Sequence, residues 1–191
     1  MSISETEINN QQVQLPPAGT YELDATHTTI AFVARHLMVA KVKGRFGQFS
    51  GTIKVAEEPT NSSVQVTIQA ASIDTRESTR DNHLRSADFL DVENYPTLQF
   101  KSTGVELSGS TNSGRINGEL TIRGVTKPVV LEAEFNGSIV DMQGTQRIGF
   151  TATAEIDRED WGLTYNAVLE GGGMLISKKI TIELEVEAIK Q

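Results

Sequence analysis

Along most of the chain, apolar and polar residues alternate with a period of two. Phe49, Gly51, Ile53 and Val55 alternate with Gln48, Ser50, Thr52 and Lys54, and Val64, Val66, Ile68 and Ala70 with Gln65, Thr67 and Gln69. The pattern returns at Leu98/Phe100, Ile116/Leu120/Ile122, Val129/Leu131/Ala133/Phe135, Ile148/Phe150/Ala152/Ala154/Ile156 and Ile180/Ile182/Leu184/Val186. An earlier run carries Ile30, Phe32, Ala34 and His36 on one face. Successive side chains of a strand point to opposite faces, so each run predicts a strand with one dry and one wet face. Eight such strands are predicted. The links between them are turn-rich (Glu57-Glu58-Pro59-Thr60-Asn61, Ser108-Gly109-Ser110-Thr111-Asn112, Arg123-Gly124, Asn136-Gly137), which favours antiparallel hairpins. A long sheet that is dry on one side must close or fold over. A closed eight-stranded antiparallel barrel is the first expectation and a two-sheet sandwich the second.

Residues 77–95 break the pattern. Ser78 and Asp81 have the spacing of a helix cap and its partner three residues on, and Leu84, Phe89 and Leu90 supply apolar contacts before Tyr95-Pro96 ends the segment. The expectation is a short helical lid around residues 78–91, beside the barrel and next to any ligand site. Residues 1–18, ending at Pro16-Pro17-Ala18, have no period and are expected to form a disordered tail ahead of a single domain over 19–191.

Composition narrows the function. Thr, Val and Ile number 20, 15 and 15 of 191 residues, which favours pleated sheet. The net charge of −8 argues against a nucleic-acid partner and against attraction to anionic membrane. The longest apolar run, Ile30 to Ala34, is far short of a membrane span, so no stable membrane insertion is expected. The chain has no cysteine, which removes disulfides, thiol catalysis and Cys-ligated metals. Residues 1–14 carry neither the basic start nor the apolar stretch of a secretory signal, so a cytoplasmic location is expected.

Several motifs in order resemble the YceI-like family. They are Asp24-Ala25-Thr26-His27-Thr28 with Phe32 and His36, Gly44-Arg45-Phe46-Gly47, and Ser72-Ile73-Asp74-Thr75. The most distinctive stretch is Arg80-Asp81-Asn82-His83-Leu84-Arg85-Ser86-Ala87-Asp88-Phe89-Leu90. Tyr95-Pro96, Gly118-Glu119-Leu120-Thr121-Ile122 and Gly124-Val125-Thr126-Lys127-Pro128-Val129 complete the likeness. The resemblance implies a lipocalin-like barrel whose apolar cavity holds a polyisoprenoid chain, such as a polyprenyl diphosphate or a polyprenyl quinone. It implies a carrier or sequestering role, with scavenging of other lipophilic compounds as the alternative.

Patterning alone reads the inward aromatics first as a filled core. The resemblance turns that reading towards a cavity. The expected tail contacts are Phe32, Phe46, Phe49, Ile53, Ile68, Phe89, Phe100, Leu120 and Phe150, with Trp161 lining the cavity or closing its mouth. For the head group, Arg80 and His83 share one side of the predicted helix, and His36 shares the inward parity of Ile30, Phe32 and Ala34. An arginine fork with an imidazole suits a diphosphate or a quinone carbonyl. The bland alternative is a set of ion pairs with Asp81, Asp88 and Asp91 that holds the lid shut.

No metal site is expected, because His27, His36 and His83 lack ligand spacing and His27 has the opposite parity to His36. Asp24 and His27 are expected to fix a turn rather than to form a catalytic dyad. Asp74, Asp88, Asp157, Glu159 and Asp160 supply carboxylates, yet no nucleophile–base spacing or phosphate-binding glycine loop appears. A non-catalytic protein is expected, a hydrolase acting on an isoprenoid diphosphate being the less favoured reading. No cofactor is implied beyond the bound lipid. Gly171-Gly172-Gly173 reads as a flexible hairpin or barrel rim, and Glu183, Glu185 and Glu187 as a solvated face of the last strand. A homodimer is compatible with such a barrel, though no residue demands it.

Overall fold

The computed structural model describes residues 15–109, 112–170 and 173–191. The expected tail up to Gln14 and Gly171-Gly172 of the glycine run lie outside these residues. The strands are β1 (Gly19–Leu23), β2 (Thr29–His36), β3 (Ala40–Phe46), β4 (Phe49–Val55), β5 (Ser63–Gln69), β6 (Ile73–Asp74), β7 (Thr97–Leu107), β8 (Ser113–Ile122), β9 (Val125–Val140), β10 (Gln146–Asp157) and β11 (Lys179–Lys190). Among the described residues one α-helix, α1 (Ser78–Arg85), lies between β6 and β7.

Eleven strands occupy eight places in the sheet. Both β1 and β2 pair with β11, β4 and β3 pair with β1 and β2, and β5 and β6 pair with β4 and β3, all antiparallel. The first three places are therefore single runs, each broken once. From β7 to β11 every strand pairs with the next, and β1–β11 pairing closes the ring. The predicted eight-stranded antiparallel barrel is the observed fold.

The breaks lie side by side and patch one another. Gly47 N donates to Ser72 O and Gln69 N to Gln48 O. Thr28 Oγ1 donates to Glu187 O at 3.0 Å and accepts from Glu187 N at 3.1 Å, so a side chain supplies the ladder bonds that the broken backbone cannot.

Inward positions follow the alternation, with one correction along β7. A bulge between Ser102 and Gly104 moves the inward parity from Leu98 and Phe100 to Val105 and Leu107. Two glycines make room for rings on the inner wall. The ring of Phe32 lies across its cross-strand partner Gly44, and that of Phe100 across Gly118, so that a Cβ at either glycine would collide with the ring. Gly118→Ala is accordingly expected to lower stability by about 1–3 kcal/mol. Alanine ordinarily improves a strand, so a stabilised variant in a denaturant titration would contradict this packing.

The base of the barrel is plugged by Tyr21, Ile53, Val55, Phe135, Ile148 and Ala188. Tyr21 is fully buried and its hydroxyl donates to Pro17 O at 2.8 Å. Residues 15–18, expected within the tail, are instead laid against the barrel. Leu15 and Pro16 reach the internal cavity, and Ala18 O accepts from Lys190 Nζ.

The lid is shorter than predicted and capped differently. Glu77, not Ser78, is the cap, accepting from Thr79 N and Arg80 N through its two carboxylate oxygens. Asp81 is buried and turns back to Thr75, accepting from its N at 2.9 Å and its Oγ1 at 2.6 Å. The helix stops at Arg85, where Ser86 N and Oγ both bond His83 O. Phe89 and Leu90 come from the turns that follow.

Candidate functional site

An apolar cavity of about 350 Å³ runs along the barrel axis. Its walls come from every strand place: Ile30 and Phe32 of β2, Phe46 of β3, Ile53 and Val55 of β4, Val66 and Ile68 of β5, Leu98 and Phe100 of β7, Ile116 and Leu120 of β8, Leu131 and Ala133 of β9, Phe150 and Ala152 of β10, and Ile182 and Leu184 of β11. Leu84, Phe89 and Leu90 close it from the lid, and Leu163 and Ile176 from the segment joining β10 to β11. The lid and that segment are latched by aromatic contacts. The His83 ring meets Phe89 edge-on at 5.0 Å and Tyr165 at 4.7 Å.

Of the residues expected to touch a ligand, Phe32, Phe46, Ile53, Ile68, Phe89, Phe100, Leu120 and Phe150 line this cavity. Phe49 and Trp161 do not. Phe49 packs on the surrounding core, and Trp161 is buried behind β8 with Nε1 donating to Leu120 O at 2.9 Å.

The expected head-group residues lie elsewhere. His36 keeps the inward parity of its strand but sits at the strand's last position, exposed beyond the rim. Arg80 Nε and Nη2 donate to Thr75 Oγ1 and O at 2.7 and 2.9 Å, and His83 Nε2 pairs with Asp88 at 2.8 Å. Arg85 donates to Ala71 O and Ile73 O. Arg80 and Arg85 pin the lid to the β5–β6 edge, His83 is held within the lid, and none of these groups lines the cavity.

Two charged side chains that sequence reasoning did not assign to the site do reach it, Arg115 and Arg158. Arg158 follows Ile156 at the same parity, is 4% exposed and lines the upper end of the cavity. Burial pushes its ionisation below the usual arginine range, while Glu159 and Asp157 pull the other way. The signal was the inward series Ile148, Phe150, Ala152, Ala154, Ile156, continued one step.

A second polar cluster sits outside the barrel. Asp24 accepts from Thr26 N and Oγ1 and from His27 Nδ1, which makes the expected turn. Asp24, His27 and Glu187 could together face a cation, but Arg147 holds that position, with Nη1 2.9 Å from Asp24 Oδ2 and 2.6 Å from Glu187 Oε1. Hydrogen bonds from Thr26, then His27 and Arg147, hold the Asp24 carboxyl well below its usual range. The Asp24 hydrogen bond and charge raise His27 above its own. A raised histidine contributes stability that is complete below about pH 6.5 and is lost as pH rises through its folded-state value. Between pH 6 and 9 the wild-type unfolding midpoint is therefore expected to fall by an increment that His27→Gln lacks. Parallel pH profiles for the two proteins would contradict this pairing.

The fold and site define an antiparallel barrel closed around one apolar cavity. The YceI-like domain model matches residues 21–188, and the chain belongs to that family. An UPF0312 protein of Vibrio cholerae serotype O1 is 37% identical over 179 residues, covering 91% of this chain and 89% of the relative. Among solved structures, a Campylobacter jejuni YCEI protein superposes with a TM-score of 0.71 at 28% identity, over 100% of this chain and 99% of that one. A polyisoprenoid binding domain from Saccharophagus degradans shares the fold, with a TM-score of 0.63 at 19% identity over 90% and 98% of the two chains.

Proposed function

We propose that the protein binds one long isoprenoid lipid non-covalently, shielding its chain from water for carriage or sequestration. The observation that carries this reading is the cavity wall. Among the described residues it contains no carboxylate, histidine, lysine or tyrosine, and its only charged members are Arg158 and Arg115, at opposite ends. Such a wall can hold a hydrocarbon chain. Thr28, Ser62 and Ser113 bring hydroxyls to it, but no carboxylate or histidine among the described lining residues stands by as a general base to activate them. The volume of about 350 Å³ falls in the range of small-molecule pockets, roughly 300–1,000 Å³. Each five-carbon isoprene unit contributes several times about 0.8 kcal/mol on leaving water. A few units therefore offset an association cost on the order of 4–15 kcal/mol. The polyisoprenoid binding domain with the same fold supports the choice of an isoprenoid over a straight acyl chain.

The protein carries its own reporter. Trp161, the single tryptophan, is hydrogen-bonded to Leu120, and Leu120 lines the cavity. A polyprenyl quinone taken up against that wall is expected to quench the indole emission saturably, near one quinone per chain. Quenching that rises linearly without saturation would count against a bound chain.

A further inference from the structure

The β2–β3 hairpin reaches past the rim at the lid end of the barrel, and its tip is apolar. Leu37, Met38 and Val39 follow one another there, with Met38 56% and Val39 82% exposed. The tip is a tight turn in which Val39 N donates to His36 O at 3.1 Å. Both Leu37 and Met38 hold left-handed backbone, at φ 52° and 62°. Asn-Gly suits such a turn, whereas two bulky apolar residues are strained in it and gain no burial in return. Val168, 76% exposed, joins the patch from the segment that pairs with the tip: Leu37 N donates to Leu175 O, and Val168 bridges Met174.

Behind the tip, the outer face of the barrel carries a groove of about 540 Å³ whose lining includes Arg35, Lys41, Lys178 and Lys179. In a chain of net charge −8 this is a local reversal of sign. Lys178 and Lys179 are paired with Glu159 and Glu155, and the adjacent Lys43 with Glu183. Arg35 and Lys41 have no ion-pair partner among the described residues, yet they stand directly opposite each other across the hairpin. Like charges so placed destabilise a strand pair. The other end of the barrel supplies a contrast. Ile139, Val140 and Met142 are exposed at the β9–β10 turn, but the cation beside them, Arg147, is taken up by Asp24, Asp141 and Glu187.

We propose that the β2–β3 hairpin is a docking surface for an anionic lipid bilayer, its apolar tip entering the head-group layer while Arg35 and Lys41 meet lipid phosphates behind it. A bilayer fits this pattern because it offers an apolar layer just beneath a layer of anions. An acidic protein surface would answer the cations and leave Val39 and Val168 in water. The acidic remainder of the barrel is repelled, which orients approach tip-first and keeps attachment peripheral. Docking requires nothing in the cavity and so stands apart from the isoprenoid reading. Ile176 lines both the groove and the lid end of the cavity, so a docked barrel presents that end to the membrane.

The test is flotation of the full chain with vesicles of phosphatidylcholine alone and of phosphatidylcholine mixed with phosphatidylglycerol. The wild type is expected to float with the mixed vesicles, less so as salt is raised, and not with the neutral ones. Arg35→Gln with Lys41→Gln is expected to weaken binding at least about tenfold, each cation near an anionic surface contributing about fivefold. The same pair is expected to raise the denaturant midpoint, because the like-charge contact is gone, so its loss of binding is not a loss of fold. Met38→Ser with Val39→Ser is expected to release the chain from the mixed vesicles with circular dichroism unchanged. Ile139→Ser with Met142→Ser is expected to leave flotation as it is. A wild type that does not float, flotation that survives both hairpin variants, or an equal loss from the β9–β10 variant would each overturn the proposal. So would capture of the wild type by immobilised polyglutamate but not by the mixed vesicles, which would mark an acidic protein as the partner.

Discussion

Ala152→Phe is expected to keep the barrel folded and to abolish ligand uptake. Ala152 of β10 lies directly opposite Ala133 of β9, and both line the cavity. Two small residues facing each other, with Phe150 one inward step below, leave the space that a larger pair would fill. A ring at Ala152 points into that space and not into close-packed core. The expected stability change is thus within about 1–3 kcal/mol, the usual cost of imperfect overpacking. The loss of affinity for a long isoprenoid is expected to exceed tenfold, or about 1.4 kcal/mol. Near-UV circular dichroism checks the fold and Trp161 quenching checks uptake. Undiminished binding by a folded variant would mean that the chain does not pass the Ala133–Ala152 level.

The second large effect is expected at the plug. Tyr21→Ala removes a fully buried ring from the cluster with Phe135, Ile148 and Ala188 and is expected to cost about 3–5 kcal/mol. Tyr21 is also where β1 meets both β4 and β11, so the cavity left behind lies on the seam that closes the barrel. Tyr21→Phe keeps the ring and loses only the bond to Pro17 O, and about 1 kcal/mol is expected. Denaturant midpoints for the pair separate packing from hydrogen bonding. A Tyr21→Ala cost as small as that of Tyr21→Phe would show that the plug lies outside the cooperative core.

The barrel was legible because period-two alternation is a direct readout of which face is dry. Each of the eight places had such a run, although the first three showed it in only one of their two halves, β2, β4 and β5. In β3 the period is present in Lys41-Val42-Lys43-Gly44-Arg45-Phe46, but Gly44 stands where an apolar side chain would mark the inner face. That glycine exists to admit the Phe32 ring, a requirement set by the partner strand. The bulge in β7 was illegible for a related reason: Leu98 and Phe100 announce one parity, and the switch occurs in a Ser-Thr-Gly stretch with no apolar marker.

The site was half legible. Parity says which way a side chain points, not how deep it lies. His36 and Arg158 both continue an inward series, yet His36 ends exposed at the rim and Arg158 ends buried. The difference is made by the segment after β10, whose Leu163 and Ser177 carbonyls fold over the guanidinium. Such contacts between residues 5 and 19 positions apart leave no local pattern. The lid shows the same limit. Spacing placed Arg80 and His83 on one side of α1, but Thr75 and Asp88, not a ligand, take up that side.

The most direct test of the central claim is mass spectrometry of an organic extract of freshly purified protein, read beside the native mass of the intact complex. The account predicts an isoprenoid lipid near one per chain, with a mass increment in the native spectrum that the extract explains. A protein that arrives empty, and that stays empty after mixing with a membrane extract rich in isoprenoids, would contradict it.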